Sequence, residues 1–356
     1  MSYKLSERHL GSIPSLLDRV ETVEQWEAKR AGIKEAWLRL LGTAPELRSP
    51  EELGCSYEVI GEPVIEAEGE EAGCHRREIR YETCDEDTVQ ATLLLPDPHR
   101  FGSAGLPAVL ALHPTAAEGR LDVATTAGRD NRKYGLELAR RGYVVLAPDS
   151  ITCGSRIYPG AEAFQTAPFY ERYPDWTVCG KMLSDHSRAL DVLCALPEVD
   201  PARVGVIGHS LGGYNGWFLA GLDERVSAAA SSCGFSMFTE DPDPNRWGQR
   251  DWFSHFPRIT AALAEDRIPF EWHEIAALAA PKSLWMWSGM RDRIFPNWPA
   301  IGAGMSDLDS LYKFVGEEGA FEFWMGNTGH DFPEQARSLA YDFLDRHLGK
   351  KVVKGE

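Results

Sequence analysis

From residue 107 onward, runs of apolar residues alternate with segments of helical periodicity. The segments PAVLALH, YVVLAPD, RVGVIG, VSAAASS, SLWMWSG and FEFWMG are apolar almost throughout. A strand wetted on one face alternates apolar and polar residues, whereas one covered on both faces does not. These runs therefore predict a mostly parallel sheet buried between helices. NRKYGLELARRG, SDHSRALDVLCAL and SLGGYNGWFLAGL predict the intervening helices, with two more around residues 300 to 315 and 334 to 348. Upstream, REIRYET and TVQATLLLP flank Asp85-Glu86-Asp87 and read as an antiparallel hairpin. TVEQWEAKRAGIKEAWLRLLG reads as an amphipathic helix: Thr22 and Gln25 have capping-box spacing, Trp26, Ile33, Trp37 and Leu40 share a face, and Gly42 stops it. A charged, glycine-containing stretch follows to about residue 75.

The pattern predicts an α/β fold with a mostly parallel central sheet, an antiparallel N-terminal hairpin, helices on both faces and an N-terminal helical extension. We divide the chain into an extension over residues 1–55 and a catalytic domain over residues 56–350. Residues 234–272 break the alternation, being rich in aromatic residues and punctuated by Pro and Asp. A structureless loop of that length is uncommon unless functional, so we expect an insertion over the carboxyl edge of the sheet, where such folds hold ligands.

Charge narrows the partners. Lys and Arg total 37 against 54 Asp and Glu, a formal net charge of −17, which disfavours nucleic acid and anionic membrane surfaces. No segment approaches the ~18 apolar residues of a membrane helix, and the first twenty residues lack an apolar signal region. The seven cysteines form no C-x-x-C pair. Reduced thiols and a cytoplasmic location are expected. The oligomeric state is not legible.

The chemistry centres on Gly208-His209-Ser210-Leu211-Gly212, the G-x-S-x-G nucleophile elbow, set between an apolar strand and a helix. A serine needs a base, and the base an orienting carboxylate; chains with this elbow order them Ser, Asp or Glu, His. Asp292 follows the strand SLWMWSG and His330 follows FEFWMG, each just past a strand's carboxyl end. The oxyanion donors should be the N–H of Leu211 and, because Pro114 has none, that of Thr115. Among rivals, His209 within the elbow cannot reach its neighbour's hydroxyl and is read as packing. His186 and His347 are read as surface or groove residues of helices, and Asp331 as pointing away from His330. Asp149, after YVVLAP, is the alternative acid. His113, Tyr214, Trp252 and Trp298 are candidate substrate contacts, with Trp176, Trp247 and Trp272 also near the expected rim. His273-Glu274 lacks the second histidine of H-E-x-x-H, and Asp241, Asp243 and Asn245 lack the glycine and glutamate of a calcium loop. No metal or cofactor is expected.

From about residue 20 onward the chain resembles bacterial α/β-hydrolases of the dienelactone hydrolase and acetyl xylan esterase type. The resemblance rests on ALHPTAAEGR, RRGYVVLAPDS, LPEVDPARVGVIGHSLGGYNGWFLAGLDERV, FEWHEIAALAAPKSLWMWSGMRDRIFP and GNTGHDFPEQARSLAYDFL. It implies the α/β-hydrolase fold and a serine esterase with Ser210, Asp292 and His330 as triad, acting on carboxylic esters; the triad chemistry implies an acyl-enzyme, and the aromatic candidates suit small, carbohydrate or aryl esters through stacking. Dienelactone hydrolases usually carry cysteine where this chain has Ser210. A peptidase or amidase related to prolyl oligopeptidase, a lactone hydrolase and a catalytically silent binding protein are the alternatives.

Overall fold

The structure is a computed structural model and describes residues 2–66 and 73–349. Residues 67–72 of the charged stretch, and position 350 at the end of the expected catalytic domain, lie outside the described residues. Eleven strands are present among the described residues: β1 (Tyr3–Lys4), β2 (Glu58–Glu66), β3 (Cys74–Glu82), β4 (Thr88–Pro96), β5 (Leu106–Leu112), β6 (Val144–Pro148), β7 (Val199–His209), β8 (Ala228–Ser232), β9 (Arg267–Ile268), β10 (Ser283–Gly289) and β11 (Phe321–Gly326). Nine form one sheet in the order β11-β10-β8-β7-β5-β6-β4-β3-β2. Neighbours from β11 to β6 pair in parallel, and β4, β3 and β2 are antiparallel. Seven longer helices are used below: α1 (Val23–Leu41), α2 (Tyr134–Arg140), α3 (Val178–Cys194), α4 (Leu211–Ala220), α5 (Pro257–Ala264), α6 (Trp298–Phe314) and α7 (Glu334–His347).

The uniformly apolar strands separate their residues by period two between two cores. Ala108, Leu110 and Leu112 of β5 join the core that contains residues of α1, α3, α4 and α6. Val109 and Ala111 join the opposite core with residues of α2 and α7. Both faces are thus covered, which is why no alternation marks these strands. Thr22 caps α1 as its spacing predicts, accepting from Gln25 N while the Gln25 side chain returns to the Thr22 N–H. Buried Trp37 of α1 then packs its ring 4.6 Å from Phe218 and 6.2 Å from Trp272, so this helix shares the core of the sheet.

The structure differs from the sequence expectation in two places here. The charged stretch contains β2, an edge strand in which Gly61 and Pro63 interrupt two short apolar pairs, Val59-Ile60 and Val64-Ile65, so that no alternation marks it. Helix α3 begins at Val178, ahead of the predicted start, because the Thr177 hydroxyl caps it through Gly180 N. Residues 234–272, the segment read as an insertion, are structured. Helix α5, the strand pair β1–β9 and the buried side chains of Phe238, Trp247, Phe256, Phe270 and Trp272 make them a packed cap.

The parallel strands end on a common edge. Leu112 stands beside Gly208, His209 beside Ser232, Ser232 beside Trp287, and Gly289 beside Gly326. The chain leaves β5 for β6 on one side and returns to β7 on the other. Loops diverge at such a reversal of strand order and leave a crevice, and the site lies there.

Candidate active site

Ser210 sits between β7 and α4 at φ 55° and ψ −116°, a conformation that an L-residue holds only under strain. Its N–H donates to Ser232 O at 2.8 Å, tying the turn to β8. Such strain costs roughly 1–3 kcal/mol and persists only where the surroundings over-determine it. Here they do. A Cβ on Gly212 would lie 1.9 Å from Leu112 O, and one on Gly208 would lie 2.2 Å from the Gly212 carbonyl carbon. Only glycine fits at either position, so the elbow passes between β5 and its own helix with no alternative path. Leu211 is the first residue of α4, and an N–H there has no partner within the helix.

Asp292 and His330 come together across two neighbouring strands. His330 Nδ1 donates to Asp292 Oδ2 at 2.6 Å, and Asp292 Oδ1 accepts from Ile294 N at 2.7 Å and Phe295 N at 3.1 Å. The loops that carry them are stitched by Arg291 N to Thr328 O, at 2.9 Å, and Met290 N to Gly326 O, at 2.8 Å. Burial opposes ionisation of Asp292. The hydrogen bond and charge of His330, with the two backbone donors, outweigh it and hold the carboxyl below its ordinary range. Ser210 and His330 line one cavity of about 290 Å³. Among the described residues no hydrogen bond joins Ser210 Oγ to His330 Nε2, and in such sites this contact often tightens only around substrate.

The rival residues have other partners. Asp149 accepts from Arg120 N at 2.9 Å and from Ser155 N and Oγ at 2.8 Å, and pairs with the Arg120 guanidinium. Asp331 pairs with Arg132 at 2.8 Å. His209 lines the cavity, its ring 4.9 Å from that of His330, and its Nδ1 lies 3.0 Å from Ser232 Oγ. Burial, then the charges of Arg132 and His330, push its pKa well down, so it is neutral. His186 corrects the sequence reading, because it is fully buried rather than superficial. Burial, then the nearby His113 and Arg156, push its pKa down to about 3. His347 is half-buried with Nδ1 2.8 Å from Ser283 Oγ.

Of the candidate substrate contacts, Tyr214 and Trp252 are on the cavity wall, as is Thr115. His113 is not among the wall residues. Its buried ring accepts from Ser150 N at 3.0 Å through Nε2 and meets Pro114 O at 2.7 Å through Nδ1, which braces the loop carrying Thr115. Trp298 is exposed at the start of α6 and is likewise absent from the wall. Sequence reasoning missed His255, Phe253, Ile294, Phe295 and the arginines 129, 132, 246 and 250, which also line the wall. Their signal was faint. In NRWGQRDWFSHF, arginines interleave with aromatic residues inside the segment already read as an insertion.

Cys233 Sγ, an Asp292 oxygen and a His330 nitrogen lie within 4.8 Å of one another, the metal-like grouping found among the described residues. Burial, then the Asp292 charge, raise the Cys233 thiol to about 12. A protonated thiol beside a carboxylate already bound to its histidine is a poor metal set.

A sheet of this order, with a strained serine on its elbow and a histidine–aspartate pair on the same edge, defines an α/β-hydrolase. The chain belongs to the alpha/beta hydrolase family, whose sequence profile matches residues 128–350. It is 26% identical over 215 residues to YtaP of Bacillus subtilis (strain 168), a hydrolase by name, covering 60% of this chain and 67% of that one. Its fold is similar to a glucuronoyl esterase from Solibacter usitatus, with a TM-score of 0.67, 18% identity, and 96% and 99% of the two chains covered. A glucuronoyl esterase from Teredinibacter turnerae has a TM-score of 0.66 at 17% identity, covering 95% of this chain and 89% of that one. No helix among the described residues is long and apolar enough to cross a membrane, and no disulfide is present among them.

Proposed function

We propose that this chain hydrolyses carboxylic esters, with Ser210 as nucleophile, His330 as general base and acid, and Asp292 as the group that orients His330. The observation that carries the reading is the 2.6 Å contact between His330 Nδ1 and Asp292 Oδ2 at the edge of the cavity that Ser210 lines. That contact fixes the tautomer: with the proton on Nδ1, Nε2 is free to accept from Ser210 Oγ. Oγ then bonds to the ester carbonyl carbon while its proton passes to Nε2. The N–H groups of Leu211 and Thr115 take the oxyanion, and the imidazolium returns its proton to the departing alcohol. Water repeats the sequence on the acyl-enzyme, releasing the acid and restoring Ser210.

A cavity of about 290 Å³ walled by Tyr214, Trp247, Trp252, Phe253 and Phe295 suits a small, ring-bearing ester more than a long acyl chain. The esterases of similar fold that act on glucuronoyl groups support a carbohydrate-like substrate.

The test is active-site labelling with a fluorophosphonate, read by mass spectrometry beside turnover of aryl esters of increasing acyl length. Label on Ser210 and turnover of short acyl esters are expected, both lost in Ser210→Ala. Asp292→Asn should keep the far-ultraviolet circular dichroism and lower kcat by about 10⁴-fold, because the imidazole then sits in the wrong tautomer. A folded protein that takes no label, or an Asp292→Asn variant with unchanged kcat, would sink the reading.

A further inference from the structure

The cavity is rich in cations although the chain carries a net charge of −17. Arg129, Arg132, Arg246 and Arg250 all line it. Three are neutralised on the spot. Arg129 is bidentate on Asp122 at 2.7 and 3.0 Å, Arg132 meets Asp331 at 2.8 Å, and Arg246 is bidentate on Asp241 at 2.7 and 2.8 Å.

Arg250 is different. Its Nε donates to Phe253 O at 3.0 Å and its guanidinium lies over the Trp252 ring, 4.6 Å from the centroid. Among the described residues neither of its Nη groups has a partner, and no carboxylate forms an ion pair with it. It is also held in place. Arg250 N donates to Ser254 Oγ and Ser254 Oγ to Arg250 O, each at 2.9 Å, while Tyr170 OH donates to Ser254 O at 2.9 Å. The group is half-buried, and loss of water is the main cause pulling its pKa below the usual arginine value. A guanidinium nonetheless stays charged throughout the range in which proteins fold. A charge that is partly stripped of water and left unpaired weakens the fold, and such a cost is recovered when an anion arrives. Its planar fork, with Nε and one edge already used, presents the Nη edge to a carboxylate.

We propose that Arg250 determines specificity by receiving an anionic group, a carboxylate, carried by the ester substrate. The inference rests on the esterase reading above, and it narrows the substrate to esters that keep one negative charge beside the ester being cut.

The test compares matched pairs that differ only in that charge. On the acyl side the pair is monoethyl succinate and ethyl isocaproate; on the alcohol side it is β-acetoxypropionate and isoamyl acetate. Turnover is followed by pH-stat with the full chain. The expected result is a kcat/KM at least tenfold higher for the anionic member of one pair, as a charge-assisted hydrogen bond supplies. The ratio should fall to within threefold of unity in Arg250→Gln and recover in part in Arg250→Lys. A general loss of folding or activity leaves this ratio unmoved. Preference for the neutral member in both pairs, or a preference that survives Arg250→Gln, overturns the proposal. If none of the four esters is turned over, the esterase reading is what has failed, and calorimetry decides the other question. Monoethyl succinate should bind the Ser210→Ala protein and lose that binding when Arg250→Gln is added; no binding to either protein overturns the anion site.

Discussion

Ser210 shows at the scale of one residue how a site can be built against the preferences of the backbone. Its φ of 55° and ψ of −116° suit glycine, yet the position holds serine, because the elbow needs a hydroxyl and the strands on either side forbid relaxation. Two replacements separate strain from chemistry. Ser210→Ala removes the hydroxyl and keeps the strain. Ser210→Gly removes both, gaining roughly 1–3 kcal/mol of strain relief against about 0.4–1 kcal/mol for the freer unfolded chain. Ser210→Gly should therefore be more stable than Ser210→Ala, by about 1 kcal/mol at the middle of these ranges, read from urea midpoints at equal slope. Equal midpoints, or a lower one for Ser210→Gly, would mean that the elbow stores at most about 1 kcal/mol of strain, too little for this account. The wall's other polar groups are tuned by burial in the same residue-by-residue way. Burial, then the Arg250 charge, keep His255 neutral, and burial keeps the Tyr214 hydroxyl protonated at 2.7 Å from His255 Nε2.

At the scale of elements, the cap over the site is anchored by one buried carboxylate. Glu271 accepts from Phe238 N at 2.6 Å, Thr239 N at 2.9 Å, Thr239 Oγ1 at 2.7 Å and Trp272 N at 2.9 Å. It thus joins the start of the 234–272 segment to its end. Glu271→Gln replaces one accepting oxygen with an amide that faces donors, so roughly 1–3 kcal/mol of stability should be lost in denaturant melts. A rise in KM with kcat nearly kept is expected alongside, since the cap carries Arg250, Trp252 and His255 while the triad does not depend on it. A fall in kcat alone would contradict that division. This anchor was invisible in the sequence, where Glu271 is one acid among 54 acidic residues. The parallel strands, the hairpin, α1 and the order of Ser210, Asp292 and His330 were legible, because each depends on local periodicity or on a residue placed just past a strand. β2 was not, since an edge strand has no buried pattern to show. The arginines of the wall were not either, because whether a guanidinium is paired depends on acids brought from elsewhere in the chain, as Asp331 is to Arg132.

For the whole molecule, the N-terminal segment is a strap across the root of the cap. β1 pairs with β9, Tyr3 OH donates to Glu274 at 2.9 Å, and Ser6 N donates to Asp266 at 2.8 Å. Leu16 N donates to Asp307 at 2.7 Å, and buried His273 Nε2 lies 2.8 Å from Pro14 O and 3.4 Å from Asp307 Oδ2. Burial opposes a charge on His273, but the Asp307 hydrogen bond and the charges of Glu274, Glu271 and Asp307 outweigh it, so its pKa in the fold lies above 6.5. A histidine raised in this way stabilises fully below its unfolded pKa, and that contribution is lost as the pH rises through the folded value. Glu274, raised mainly by burial, acts with the same sign, so replacement of His273 itself is what assigns the change. Hydrogen exchange of the amides in residues 3–16, corrected for intrinsic rates, should show protection that declines as the pH is raised above 6.5. In His273→Gln the neutral side chain can still donate to Pro14 O, and the decline should vanish. A decline of the same size in that variant would mean that another group governs the strap, and that the protonation of His273 is not what holds the N-terminal segment against the cap.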